Sequence, residues 1–192
     1  MAAAIMTEEK LILEGQIREF YGRVVYTHKT HEKCADLLLA RHKHIKLLQI
    51  ILSALVTGGV LAALLPRAGL AFTLITAILS TLLLALNSYT KDYDLGEVAQ
   101  KHRQAAAEVW LIRERYLSLL TDLRCNAIGV KECRELRDRL LLDLGAVYTG
   151  APSTNAKAYR AAHSALKNMD EMTFSDVEID KFLPKELRRT AS

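Results

Sequence analysis

Two apolar runs constrain this chain before anything else does. Leu47 to Leu65 is nineteen residues without a charge, which as a helix rising about 1.5 Å per residue spans roughly 28 Å, close to a bilayer's hydrocarbon core. The second run, Leu70 to Leu86, is slightly shorter, and Asn87, Ser88 and Tyr89 prolong it without adding charge. Ten or eleven large apolar side chains per run, at roughly −0.3 to −0.6 kcal/mol each, favour insertion by about 3 to 7 kcal/mol per helix. That outweighs the few hydroxyls and amides present. A buried hairpin of a soluble helical protein usually keeps a polar stripe, and a charged one is missing from both runs. The sequence therefore predicts transmembrane helices at 47–65 and 70–89, joined by an external turn at 66–69, Pro66-Arg67-Ala68-Gly69.

Orientation follows from the flanks. Arg41, Lys43 and Lys46 precede the first span, with Lys29 and Lys33 further back; Lys91, Lys101 and Arg103 follow the second, and the turn carries only Arg67. The excess of basic residues beside the chain ends puts both termini in the cytoplasm. Tyr89 and Tyr93 stand where interfacial aromatic anchors are expected. The net charge of +4 is concentrated beside the membrane, where it reads as topology and attraction to anionic lipid; direct nucleic-acid binding is not expected. Residues 1–6 lack the basic region of a secretory signal, so the first span is expected to act as its own uncleaved signal. Cys34, Cys125 and Cys133 fall in parts assigned to the cytoplasm, where thiols stay reduced, and a disulfide framework is not expected.

The flanking segments carry a second pattern. After a flexible start, Thr7 with Glu8 and Glu9 suits a helix N-terminus. Leu13, Ile17, Phe20, Val24, Thr27, His31, Cys34 and Leu38 then recur in steps of three and four, a heptad seam over 7–46. No proline interrupts 7–65, so one continuous rod from cytoplasm through bilayer is expected. Leu95, Val98, His102, Ala105, Val109, Ile112, Tyr116, Leu119 and Leu123 repeat the pattern over 90–124. Folded back at the turn, facing residues have numbers summing to roughly 135: Phe20 meets Tyr116, His31 lies near the level of His102, and Gln49 lies at the depth of Asn87. Smaller helices fill 125–184. One, from about Ile128 to Tyr148, shows Cys133, Leu136, Leu140, Leu144 and Val147 on one face; a short alanine-rich helix capped by Ser153 or Thr154 runs through Tyr159, Ala162 and Leu166. The last carries a capping box, Ser175 with Glu178, and a staple, Phe174 with Ile179. A loose tail, 185–192, closes the chain. The fold class is all-α, a two-transmembrane hairpin continued by a long antiparallel cytoplasmic helix pair.

Three constellations are candidates for function. His28, His31, Cys34 and His102 combine imidazoles and a thiol near one level, yet steps of three swing His28 and Cys34 about 120° apart, and no further cysteine or carboxylate completes a zinc set. The seam group His31, Cys34 and His102 is better read as a polar layer that fixes register or titrates near neutrality; no metal or other cofactor is expected. In the membrane, Gln49, Ser53 and Thr57 share a face of the first span, and Thr73, Thr76, Ser80 and Asn87 share a face of the second. Two readings fit. Hydroxyls bonding their own backbone and amides bonding each other act as helix glue, which the residues alone favour; alternatively several hairpins assemble with this face inward around a polar track. Two helices cannot enclose a pore, so the second reading requires a homo-oligomer. Enzyme chemistry finds no support: no Glu-x-x-His for a di-iron bundle, no glycine-rich phosphate loop, no serine elbow and no paired Cys-x-x-Cys occur. No catalytic residues are assigned.

The order of heptad helix, basic knot, two spans and returning heptad helix resembles the SLATT family, two-transmembrane effector domains associated with SMODS nucleotidyltransferases and SLOG nucleotide-sensing proteins. The resemblance is carried by Ile17-Arg18-Glu19, by residues 21–33 (Tyr21-Gly22-Arg23-Val24-Val25-Tyr26-Thr27 onward), by Leu86-Asn87-Ser88-Tyr89-Thr90-Lys91-Asp92-Tyr93-Asp94-Leu95-Gly96, by residues 116–123, and by the closing Thr173-Phe174-Ser175-Asp176 and Phe182-Leu183-Pro184. It implies a multi-pass effector of the bacterial inner membrane, acting in antiviral conflict systems and breaching the membrane when an associated sensor or nucleotide signal triggers it. Family members accompany nucleotidyltransferases and, in some systems, reverse transcriptases, which are the implied partners beside the lipid bilayer. The family offers no catalytic residues to carry over. The resemblance shifts the weight of the polar stripe toward a pore. The other class is a membrane-anchored coiled-coil adaptor without conductance. The basic knot Arg41, Lys43 and Lys46, with Tyr89, Lys91 and Tyr93 opposite, is assigned to the membrane surface.

Overall fold

A computed structural model of the chain describes residues 8–63, 65 and 69–189. The expected cap Thr7 and most of the turn, Pro66 to Ala68, lie outside the described residues. Among those described there is no strand, and the helices are α1 (Glu8–Ala63), α2 (Leu70–Asp92), α3 (Leu95–Arg124), α4 (Val130–Gly150), α5 (Ala156–Asn168) and α6 (Asp176–Phe182). With no proline in its interior, α1 runs unbroken for 56 residues, roughly 84 Å at 1.5 Å per residue.

α1 is the spine against which the chain folds back. Its C-terminal third pairs with α2 and its N-terminal two-thirds with α3, both antiparallel. Leu13, Ile17, Val24, Val109, Ile112, Tyr116, Leu119 and Leu123 form one buried cluster, closed by Cys133 and Leu140 of α4. Phe20 lies against Tyr116 with ring centroids 6.1 Å apart. α5 covers the middle of α1 through Ala158, Ala162 and Ala165, whose small side chains let the two helices approach.

The returning rod is not continuous. It breaks at Tyr93 and Asp94, where the Asp94 carboxylate accepts hydrogen bonds from the backbone N–H groups of Gly96 (2.8 Å) and Glu97 (3.1 Å) and so caps α3. Those two bonds hold the Asp94 carboxyl below the usual carboxylate range. The restart changes the helix phase, so Ala99 is buried at that level and Val98 is exposed. α3 ends in a Schellman arrangement around Asn126, whose φ of 58° is left-handed; Ala127 N–H reaches the Asp122 carbonyl at 2.9 Å and Asn126 N–H the Leu123 carbonyl at 3.3 Å. The Asn126 side chain then accepts from the largely buried Lys10 ammonium, tying the start of α1 to the end of α3.

Several local details go beyond or differ from the sequence pattern. α5 is capped by Asn155, whose side chain accepts from Ala158 N–H at 2.9 Å, and not by Ser153 or Thr154. Tyr159 is exposed and stacks on Tyr26 at 6.0 Å instead of entering the core. Residues 185–187 form a single 3-10 turn, and Arg189 N–H reaches the Asp180 carboxylate at 3.2 Å. The capping box of Ser175 and Glu178 at the start of α6 is present, while the intended staple partners Phe174 and Ile179 are both exposed.

Candidate functional site

The membrane half of the molecule is a bare pair of helices. In α2 no residue is buried, and in α1 beyond Ala35 only Gly59 is. Gly59 is a point of close approach: a Cβ there would stand 2.5 Å from Thr76 Oγ1 and 2.9 Å from Thr76 Cγ2. Toward the polar half, Gln49 Nε2 donates to Asn87 Oδ1 (2.8 Å) and to Thr90 Oγ1 (3.0 Å), bridging the two spans. Outside these contacts the large apolar side chains, among them Leu47, Ile50, Leu55, Leu74, Ile78 and Leu84, face outward. That is a lipid-facing surface, and both helices are long and apolar enough to cross a membrane.

The polar residues of the two spans come together on one side. At about 100° per residue, Gln49, Ser53 and Thr57 all turn to the same flank of the contact line through Gly59, and Thr73, Ser80 and Asn87 turn to the matching flank of α2. Because the helices run antiparallel, these are the same side of the hairpin, and the opposite side is apolar. Thr57 and Thr76 donate to their own backbones, to the carbonyls of Ser53 (2.9 Å) and Phe72 (3.0 Å). Ser53, Thr73 and Ser80 make no side-chain hydrogen bond among the described residues and are exposed. Thr76 belongs to the helix contact; the other hydroxyls line the flank.

At the boundary of the two halves, Arg41, Lys43 and Lys46 are exposed around α1 and Lys91 around the end of α2. Tyr89 and Tyr93 stack at 5.2 Å beside them, just before the Asp94 break. Below this collar lies the polar layer of the seam. His31 Nδ1 and His102 Nδ1 are 2.9 Å apart with ring centroids at 5.1 Å, and each residue is 3% exposed. Such a contact needs an N–H on one ring and a lone pair on the other, so at least one of the two imidazoles is neutral. Burial, then the neighbouring His102 and His28, push His31 down to about 4, and burial lowers His102 as well. Both shifts favour the neutral pair. Cys34 is buried one turn on, its thiol raised by burial and contacted by the Asn155 amide at 3.9 Å.

One cluster was not visible in the sequence. Glu171, in the turn after α5, bridges Lys29 Nζ (2.5 Å) and Lys33 Nζ (3.3 Å) of α1, residues 138 positions away in the latter case. These bonds, the one to Lys29 foremost, hold the Glu171 carboxyl below its ordinary range. Only a long-range fold brings that turn to α1, and no local pattern announces it.

A bare apolar hairpin with a helical bundle on its polar side defines a two-span membrane protein. The chain belongs to the SMODS and SLOG-associating 2TM effector domain family 4, whose profile matches residues 13–178, from the first seam leucine into α6. It is accordingly a membrane effector of conflict systems, in an effector family not known for catalysis. No curated protein and no solved structure shows a significant match to the chain.

Proposed function

We propose that several copies of this hairpin assemble in the bacterial inner membrane with the polar flank turned inward, and that the assembly conducts ions or breaches the bilayer once an associated sensor or nucleotide-signalling protein triggers it. Both chain ends lie in the cytoplasm in this reading, as the basic collar favours. The observation that carries it is the one-sidedness of the flank: Ser53, Thr73 and Ser80 stand exposed and unbonded on the side that also holds Gln49 and Asn87. A hydroxyl without a partner in hydrocarbon costs about 1–3 kcal/mol, so a column of three is better met by a second hairpin or by water than by lipid. The adaptor alternative draws on a specific observation too. Gln49 and Asn87 satisfy each other within one hairpin, and Thr57 and Thr76 satisfy themselves, which is what glue without conductance requires.

Ser80→Leu separates the two, because it fills the flank without removing any bond of the hairpin. Membrane potential is recorded in cells expressing the chain with its genomic neighbours. Depolarisation by the parent and none by Ser80→Leu, at equal membrane abundance, is the expected result. Equal depolarisation by both removes the flank from the mechanism, and a parent that never depolarises leaves the adaptor.

A further inference from the structure

Between α1, α3 and the turn after α5 lies an open cleft of about 700 Å³ whose wall carries Lys29, Lys33, Arg103 and Arg113. Three of these cations are largely shielded, with side-chain exposures of 11% for Lys29, 23% for Lys33 and 14% for Arg113. Arg113 is engaged by Glu114 at 2.6 Å and Arg103 by Asp36 at 3.6 Å, while Lys29 has Glu32 at 2.9 Å. Lys33 has Glu171 alone among the described residues. The floor is kept low by Ala106 and Ala107, and the indole of Trp110, 47% exposed, borders the open space. The inner wall holds His28, 6% exposed, whose Nδ1 has no hydrogen-bond partner among the described residues.

Glu32 and Asp36 of α1 also line the cleft, and a third carboxylate, Glu171, arrives on an unusual support. Asp170 and Met172, the residues on either side of Glu171, both have left-handed backbone, φ 49° and 71°. Left-handed non-glycine residues are uncommon, and a pair flanking one functional side chain marks a turn held by its surroundings. Glu171 N–H to the Ala165 carbonyl and Thr173 N–H to the Asp170 carbonyl, both 3.0 Å, fasten that turn. With Glu171 in place about 700 Å³ of the cleft stays open.

We propose that this cleft is a binding site for a nucleotide, its phosphate taken by Lys29 and Lys33 and its base laid on Trp110, and that Glu171 is the internal anion it displaces. A phosphate offers more acceptor oxygens to the two ammonium groups than the carboxylate it replaces, and the cleft volume is that of small-ligand sites. A lipid headgroup does not reach it: Lys33 precedes the first span by fourteen residues, about 21 Å of helix. Whether such binding triggers the membrane half rests on the effector reading above; the binding itself does not.

Trp110 is the only tryptophan in the chain, so its fluorescence reports this cleft directly. The full chain in lipid nanodiscs is titrated with ADP and with pyrophosphate at fixed ionic strength. The expected result is a saturable change with ADP, tightened about tenfold in Glu171→Gln by loss of the competing ion pairs, and abolished in Lys33→Met with helicity retained by circular dichroism. Equal ADP affinity in the parent and Glu171→Gln overturns the displacement, and no saturable change in Glu171→Gln overturns the site. Pyrophosphate binding as tightly as ADP overturns the stacked base. A signal that follows the phosphatidylglycerol content of the discs, with no response to ADP, assigns the cleft to lipid instead.

Discussion

Mild acidification destabilises the polar half of this protein through a pair of histidines. His31 has an ordinary value of 6.5 and is pushed to about 4 in the folded chain, where its Nδ1 shares one proton with His102 across 2.9 Å. The folded state thus refuses a proton that the unfolded state accepts, and stability is full above 6.5 and lost as pH falls from there toward 4. At pH 5.5 the loss from His31 alone is about 1.4 kcal/mol, one pH unit below the unfolded value. His28 and His102 are shifted in the same direction, by burial first, and add to it. The carboxylates do not confuse the window. Glu171 is lowered from 4.5 by Lys29 and Lys33, so its contribution is intact above 4.5 and disappears only below. The assay is thermal unfolding of the micelle-bound protein, followed by circular dichroism at about pH 7.5, 6.5 and 5.5, for the parent and for His31→Gln. The midpoint should fall with pH in the parent, and markedly less in the variant. A midpoint that is flat or rises on acidification, or a variant that keeps the parent's full slope, refutes the neutral pair.

Two further substitutions test the packing. Gly59→Ala drives a methyl to within 2.9 Å of two Thr76 atoms, and overpacking of this kind costs about 1–3 kcal/mol; combined with Thr76→Ala it should cost clearly less than alone, and a neutral Gly59→Ala in a thermal melt means that the spans do not touch there. Tyr116→Phe removes a fully buried hydroxyl that has no partner among the described residues. Stability should rise by about 1 kcal/mol, and a loss instead reveals a bound partner for that oxygen.

The all-α hairpin was legible because its signals are long. Nineteen uncharged residues, and seams sustained over several heptads, leave few alternatives, and the absence of proline correctly implied that α1 is one helix. Antiparallel pairing about a short turn is nearly a one-parameter problem, which is why counting from the turn brings Gln49 to Asn87, Gly59 to Thr76 and His31 to His102. The errors come where local chemistry interrupts the count. Asp94 with Glu97 three residues on is itself a helix-start signal, but a continuous heptad reading runs through it and then buries Val98 in place of Ala99. At α5, Ser153, Thr154 and Asn155 are three cap candidates in a row, and only the packing of Ala158, Ala162 and Ala165 on α1 selects the third. The cleft lay beyond reach altogether, since Glu171 meets Lys29 and Lys33 only after α4 and α5 have folded back along the spine.

The same interruption distinguishes the two sides of the rod mechanically. α1 carries Lys29 and Lys33, His31, the basic collar and then Gln49, Ser53 and Thr57 on one unbroken hydrogen-bonded helix. Its partner is cut at Asp94, between the seam and the span, with the cap in Asp94 standing in for backbone bonds the helix would otherwise make. The seam and the polar flank are thus joined by continuous helix along α1, whereas α2 and α3 meet at a break. Beside the apolar cluster that packs α1 on α3, polar contacts tie the spine to its partner, among them the His31 and His102 contact below the collar and the Gln49 bridge to Asn87 and Thr90 above it. Each is a directional bond whose geometry fixes the register of the pair more narrowly than apolar packing does.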